Sequence, residues 1–165
     1  MLIRVNIAGL IMDPLFKAPI VILRSRDGKN TVLIWIAMLE ASSIIAGLRE
    51  IAFDRPMTHD LFKNFMEKLD IIVTSAEISD MIDNKYYGKI HFKTERKNLS
   101  IDARPSDAIA MALRFKAPIY IDKKVFEKFK IIDLGSEIMD KSEQGKIWAE
   151  YLDKLSMDDF GKYMT

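Results

Sequence analysis

The sequence contains no cysteine. That excludes a disulfide framework, a thiol nucleophile and cysteine-ligated zinc, and it suits a reducing compartment. Glycine is scarce, at seven residues in 165, which leaves little material for a phosphate-cradling loop. Catalytic serine elbows, Walker loops, dinucleotide-binding glycine patterns and HExxH are all absent. Long apolar runs are missing as well, since none approaches the roughly 20 residues that span a bilayer. The N-terminal MLIRVNIAGLIMDP has Arg4 and Asn6 inside its apolar stretch and no small-residue cleavage site. It reads as a strand and not as a signal peptide, and the expected location is the cytoplasm, with no membrane partner. An excess of one charge is also lacking. The net charge of +1 gives no bulk attraction to polyanions, so any contact with nucleic acid must rest on a local patch.

What is present is enough for one domain. A chain of 165 residues, 49% apolar, can bury a sizeable core but does not call for a second one. Residues 2–10 alternate weakly up to the break at Asp13-Pro14. Ala18 to Leu23 and Thr31 to Ile36 read as strands joined by a turn at Asp27-Gly28. Met38 to Ile51 has helical spacing, with Leu39, Ile44, Ile45 and Leu48 on an inward face. Thr58 is the expected N-cap of a second helix running to about Leu69, with Leu61, Phe62, Phe65 and Leu69 inward. Residues 71–79 form a strand, Asp83-Asn84 a turn, and Tyr86 to Lys93 with Leu99 to Ala103 a further hairpin. A helix from Ala108 to about Phe115 and a short strand at Ala117 to Ile121 follow.

The expected fold is therefore α+β, with mixed or antiparallel sheets of hairpins and packed helices. Lys17-Ala18-Pro19-Ile20 recurs as Lys116-Ala117-Pro118-Ile119, and each half has a hairpin followed by a helix, which raises the question of an internal duplication. Residues 1–121 make the expected core. The remainder, 122–165, carries ten acidic and eight basic side chains and reads as a helical extension. It contains helical segments at Val125 to Phe129 and Glu143 to Leu155. In the second, Ile147, Trp148, Tyr151, Leu152 and Leu155 make a stripe that suits either the core or an oligomer contact, a dimer being favoured.

Two Arg-Pro turns, RPMTHD and RPSDAIA, carry the chemistry. Each sets an arginine, a proline, a hydroxyl and an aspartate at the start of a helix. Helix capping by Thr58 or Ser106 and the helix dipole account for the prolines, hydroxyls and aspartates. They do not account for His59, or for an arginine before each proline. A helix N-terminus favours anions, and Arg55 and Arg104 offer bidentate forks to phosphate. His59 is a candidate general acid or base. Glu40, Asp60, Asp102 and Asp107 are candidate carboxylate ligands for magnesium or manganese. On the strand after Asn84, Tyr87, Lys89, His91 and Lys93 share one face, suited to a phosphate backbone or to a solvated surface paired with Asp102 or Glu95.

Taken in order, Ala18 to Leu23, Leu33-Ile34-Trp35-Ile36, Glu40-Ala41, Arg55 to Leu61, Arg104 to Ala110 and Ala117 to Ile121 resemble the bifunctional nuclease domain. The closing Leu155 to Gly161 is similar to that family's ending. One departure is Ala37, where the family usually has glycine. The resemblance implies hydrolysis of phosphodiester bonds in RNA and DNA. Arg55, Arg104 and Lys89 would then bind phosphate and His59, Asp60 and Asp107 would serve catalysis, with Mg²⁺ or Mn²⁺ held by Glu40, Asp60 and Asp107. A water or hydroxide nucleophile would act on both polymers, whereas a 2′-hydroxyl mechanism would be confined to RNA. Two other readings compete. One is an interaction or regulatory protein whose Arg-Pro turns are architectural, and the other an anion or nucleotide sensor that does not cleave.

Overall fold

A computed structural model describes residues 1–14 and 16–130. The elements run β1 (Leu2–Met12), β2 (Pro19–Ser25), β3 (Thr31–Trp35), α1 (Met38–Leu48), α2 (Thr58–Lys68), β4 (Ile72–Ile82), β5 (Lys85–Lys93), β6 (Asn98–Ala103), α3 (Pro105–Arg114), β7 (Ile119–Asp122) and α4 (residues 123–130). The strands form one seven-stranded sheet in the order β3-β2-β1-β7-β4-β5-β6, antiparallel throughout except where β7 lies parallel to β4. The fold is α+β on a mixed sheet.

Local chemistry sets the hairpins. Gly28 adopts φ 72° in the β2–β3 turn, and Asp83 and Asn84 both adopt positive φ between β4 and β5, as a two-residue turn matched to strand twist requires. The repeated Lys-Ala-Pro-Ile performs one conformational task twice. Lys17 and Lys116 both take left-handed backbone, at φ 54° and 52°, and turn the chain into β2 and β7. Two meanders, β1-β2-β3 then α1 and β4-β5-β6 then α3, flank β7. That likeness is one of arrangement.

Bulges at Ile7/Gly9 in β1 and at Val73/Ser75 and Ile78/Asp80 in β4 bend the sheet. It curls far enough for the Tyr86 hydroxyl on β5 to donate to the Leu33 carbonyl on β3 at 2.9 Å, although four strands separate them in the sheet. Helix α3 lies in the concavity. Its Ala108, Ile109, Ala110, Met111 and Ala112 are fully buried, and three alanines in five positions let neighbours approach closely. Helix α4 joins the same core through Val125 and Phe126, and its Lys124 and Lys128 both bond Asp80 on β4.

Two glycines set the approach of α3. At Gly47 of α1 a Cβ would lie 3.1 Å from Leu113 Cβ, so α1 crosses α3 at van der Waals limit. At Gly88 of β5 a Cβ would lie 2.8 Å from the Ala103 carbonyl oxygen and 3.2 Å from Pro105 Cα. Both neighbours are backbone and cannot rotate away. Gly88→Ala is therefore expected to destabilise the protein by about 1–3 kcal/mol, read as a lowered thermal midpoint. An unchanged midpoint would show that the α3 entry tolerates displacement.

Several expectations need correction. Leu39 and Leu48 face solvent; Ile44 is buried as expected, and Ala41 and Ala46 pack beside it. On α2, Leu61, Phe62 and Phe65, with Leu69 at the C-cap, are 43–60% exposed and Met66 is the buried residue. That helix docks by polar side chains at its N-terminus and by Met66, which turns its apolar face outward. Neither Thr58 nor Ser106 caps a helix. Met57 is the N-cap of α2 and its amide donates to Asp60 Oδ2 at 3.1 Å. Arg104 is the N-cap of α3, where Pro105 has no amide to satisfy. Ala37, the N-cap of α1, is extended at φ −85°, ψ 165°, a conformation that does not require glycine. The Ile147 to Leu155 stripe lies outside the described residues.

Candidate active site

Helices α1, α2 and α3 meet along polar residues set at helical spacing. On α1, Glu40, Ser43 and Gly47 fall at i, i+3 and i+7, and on α3 so do Asp107, Ala110 and Arg114. The N-terminus of α2 delivers His59 and Asp60 between them. His59 Nε2 lies 3.1 Å from Asp107 Oδ1, and His59 Nδ1 lies 2.7 Å from Ser43 Oγ. One imidazole thus ties three helices.

Arg104 continues the chain of contacts. Its Nε donates to Asp107 Oδ2 at 2.7 Å and its Nη2 to Asp107 Oδ1 at 3.1 Å, a bidentate grip. Its Nη1 donates to Glu40 Oε1 at 2.8 Å. These bonds engage three of the five N–H groups of the guanidinium, leaving one on each terminal nitrogen. The side chain is 65% exposed, so those two donors can meet a ligand from solvent.

Burial works against ionisation of Asp107, but hydrogen bonds from Arg104 and His59 and the charge of Arg104 outweigh it and hold the carboxyl below its ordinary range. Asp107 is an anion at neutral pH. It has no proton to give, so Nε2 of His59 carries the hydrogen between them, and in neutral imidazole Nδ1 is then an acceptor. In the neutral ring the Ser43 hydroxyl accordingly donates to His59 Nδ1.

A second arginine braces the group from inside. Arg114 is only 5% exposed; its Nε donates to Asp60 Oδ1 at 2.6 Å and its Nη1 to the carbonyls of Ser43 and Ala110 at 3.2 and 3.0 Å. Asp60 is therefore engaged twice, by Arg114 and by the Met57 amide.

The two Arg-Pro turns meet through His59 and Asp107, not through their arginines. Arg55 stands exposed in the loop between α1 and α2, and no hydrogen bond or ion pair holds it among the described residues. Lys89 is not brought to the cluster. It points to the sheet face opposite Gly88, Ile90 and Phe92, the residues that pack toward α3. Asp102 sits beside Lys89 in the β5–β6 register, and His91 on that face pairs with Glu77 at 2.8 Å, not with Asp102 or Glu95. Glu40, Asp60 and Asp107 do not gather: among the described residues no three His, Cys, Asp or Glu side chains form a group able to hold a metal. Among the described residues, Glu40 Oε2 is buried without a hydrogen-bond partner. Reading of the sequence missed Ser43 and Arg114. The spacing of Ser43 after Glu40 and of Arg114 after Asp107 was the available signal.

The profile of the bifunctional nuclease domain family matches residues 21–133. An uncharacterised Mycobacterium tuberculosis protein is 28% identical over 162 residues, covering 95% of this chain and 97% of its own. The protein named bifunctional nuclease 1 in Oryza sativa subsp. japonica is 31% identical over 110 residues, 64% of this chain and 33% of its own length. Bifunctional nuclease 2 of Arabidopsis thaliana is 28% identical over 122 residues, 70% of this chain and 37% of its own. The chain thus spans about a third of these plant proteins. Among the described residues, no helix is long and apolar enough to cross a membrane.

Proposed function

The chain belongs to the bifunctional nuclease domain family, and on that premise we propose that it hydrolyses phosphodiester bonds of RNA and DNA at the cluster of His59, Asp107 and Arg104. The observation that carries this reading is the connected arrangement of an imidazole, an orienting carboxylate and an exposed arginine with donors to spare. Arg104 binds the scissile phosphate and offsets charge that develops on its oxygens. Asp107 holds the tautomer and orientation of His59, which serves as general base. Asp60 supports His59 by fixing the start of α2. Arg55, exposed in the neighbouring loop and unengaged among the described residues, is left to contact the polymer beyond the scissile group. With a net charge of +1, affinity depends on such local contacts and falls modestly with salt.

Magnesium and manganese fit these residues poorly as they stand. Arg104 holds Glu40 and Asp107, and Arg114 holds Asp60, so the three carboxylates face separate or cationic partners. A divalent cation enters the proposal as an assay variable, the buried Glu40 Oε2 being the one oxygen of these three carboxylates that no described residue bonds.

The test is cleavage of labelled single-stranded RNA, single-stranded DNA and duplex DNA by highly purified protein, with magnesium, manganese or EDTA. His59→Ala, shown to be folded by its melting curve, is run beside it. Cutting that vanishes in the variant supports the proposal. Cutting unchanged in the variant, or none at all in the parent, refutes it and leaves the binding-protein or anion-sensor reading.

The outward apolar face of α2 favours a companion reading, a homodimer formed through that helix in a reducing cytoplasm. Leu61, Phe62, Phe65 and Leu69 form a stripe of the kind that monomers seldom leave in water. Phe65→Glu is expected to halve the mass measured by light scattering, with little change in the melting of the monomer. A parent that already runs as a monomer would dismiss the dimer.

A further inference from the structure

We propose that Ser43 is the nucleophile of the reaction and that it forms a covalent intermediate in which Oγ is esterified to the phosphate of the retained nucleotide. The inference rests on the nuclease reading above and deepens it.

The starting point is what His59 touches. Its Nε2 is committed to Asp107, and its Nδ1 is met by the Ser43 hydroxyl at 2.7 Å. A general base takes a proton from whatever donates to its free nitrogen, and here that donor is Ser43. Neighbouring Ser42 supplies the contrast. Its hydroxyl bonds the Met38 carbonyl one turn back at 2.9 Å, the usual resting place for a serine within a helix. Ser43 is directed across to another helix instead. Its own backbone is pinned, because Arg114 Nη1 holds the Ser43 carbonyl while Arg114 Nε holds Asp60 at the start of α2. Hydroxyl and imidazole are thus fixed relative to each other by a buried brace. Ser43 is partly exposed, so a phosphate held by Arg104 can approach it from solvent.

In the first step Ser43 Oγ attacks phosphorus. The Oγ–P bond forms as the bond to the departing nucleoside oxygen breaks. The serine proton passes to His59 Nδ1 and from there, through solvent, to the departing alkoxide. In the second step water attacks phosphorus and gives a proton to His59 Nδ1. That proton returns to Oγ as the Oγ–P bond breaks. The sum is one water consumed and one phosphodiester opened. Nothing in this sequence uses a 2′-hydroxyl, so one site serves both RNA and DNA.

Stereochemistry tests the proposal on the unaltered protein. An oligonucleotide with a phosphorothioate of single configuration at the scissile position is cleaved in ¹⁸O water. Two displacements give net retention at phosphorus, whereas direct attack by water gives inversion. In parallel, substrate labelled with ³²P at the scissile phosphate is acid-quenched during turnover, and labelled protein is expected from the parent and not from Ser43→Ala. Cleavage by Ser43→Ala is expected to fall by ~10³-fold or more with its melting midpoint preserved. Inversion, or undiminished cleavage by Ser43→Ala, overturns the serine while leaving the nuclease reading intact. Absence of cleavage by the parent overturns both.

Discussion

Arg104→Ala is expected to lower cleavage by ~10²–10³-fold while shifting the thermal midpoint by no more than a few degrees. The two halves of that expectation have separate causes. Arg104 is 65% exposed, and ion pairs in such a setting contribute about 0–1 kcal/mol because water and salt screen them. Its removal leaves Asp107 its bond from His59, while Glu40 loses its bond from Arg104 and must take up water at its partly exposed edge, which accounts for the few degrees. Stability therefore changes little. The effect on cleavage is larger because the two unspent N–H groups act on charge that grows only as the phosphate is attacked, in a position no other described cation of the cluster shares. Lysine cannot reproduce the fork, since a point charge cannot hold Asp107 at two points and still reach phosphate. Arg104→Lys should accordingly recover only part of the loss. Steady-state kinetics on all three proteins, with melting curves beside them, decide the matter. A full-rate Arg104→Ala would remove the arginine from the mechanism.

The sheet was largely legible because its signals are local. Asp27-Gly28 and Asp83-Asn84 force their turns through backbone preference, and alternation in Tyr86–Lys93 separates the Ile90 and Phe92 side from the Lys89 side without help from tertiary contacts. Strand order was not legible, since the insertion of β7 between β1 and β4 depends on long-range pairing such as Val5 with Ile119 and Ala76 with Ile119. The helix faces were misread for a definite reason. Apolar spacing in Leu61, Phe62, Phe65 and Leu69 records that a face is apolar, but not whether the chain's own core or another surface covers it.

The candidate cluster was legible in part. His59, Asp107 and Arg104 stand in motifs whose residues exceed what helix capping requires, and they do meet. Arg55 and Lys89 looked equivalent to Arg104 in charge, yet charge alone carries no direction, and the fold sends one to a loop and the other to the far side of the sheet. Ser43 gave little signal because a serine beside another serine in a helix is commonplace. Arg114 reads as a cation suited to a helix C-terminus. Its actual work depends on the closure of α1 and α2 over it, a tertiary arrangement that no local pattern encodes.

That work makes Arg114→Ala the substitution with the largest expected cost in stability, about 2–4 kcal/mol, or a midpoint lowered by ~5–15 °C. Arg114 is nearly inaccessible, and removing it takes from Asp60 Oδ1 its side-chain partner and from the carbonyls of Ser43 and Ala110 the second bond that each accepts beside its own helical one. Losing one member of a buried pair typically costs about 3–5 kcal/mol, and the partial exposure of Asp60 moderates that figure. Loss of the long side chain also opens space where α1 and α3 are closest, since Arg114 packs against Gly47. Arg114→Lys keeps the charge but cannot bridge Asp60 and the two carbonyls together, so an intermediate loss is expected. Asp60→Asn adds a second arm. If Arg114 acts chiefly through Asp60, the double substitution should cost less than the two single losses added, by about 1 kcal/mol or more. Cleavage should fall in Arg114→Ala even below its melting range, because the same bonds hold Ser43 and the start of α2 in register. A midpoint within about 1 °C of the parent would mean that α1 and α2 are held in place by packing alone.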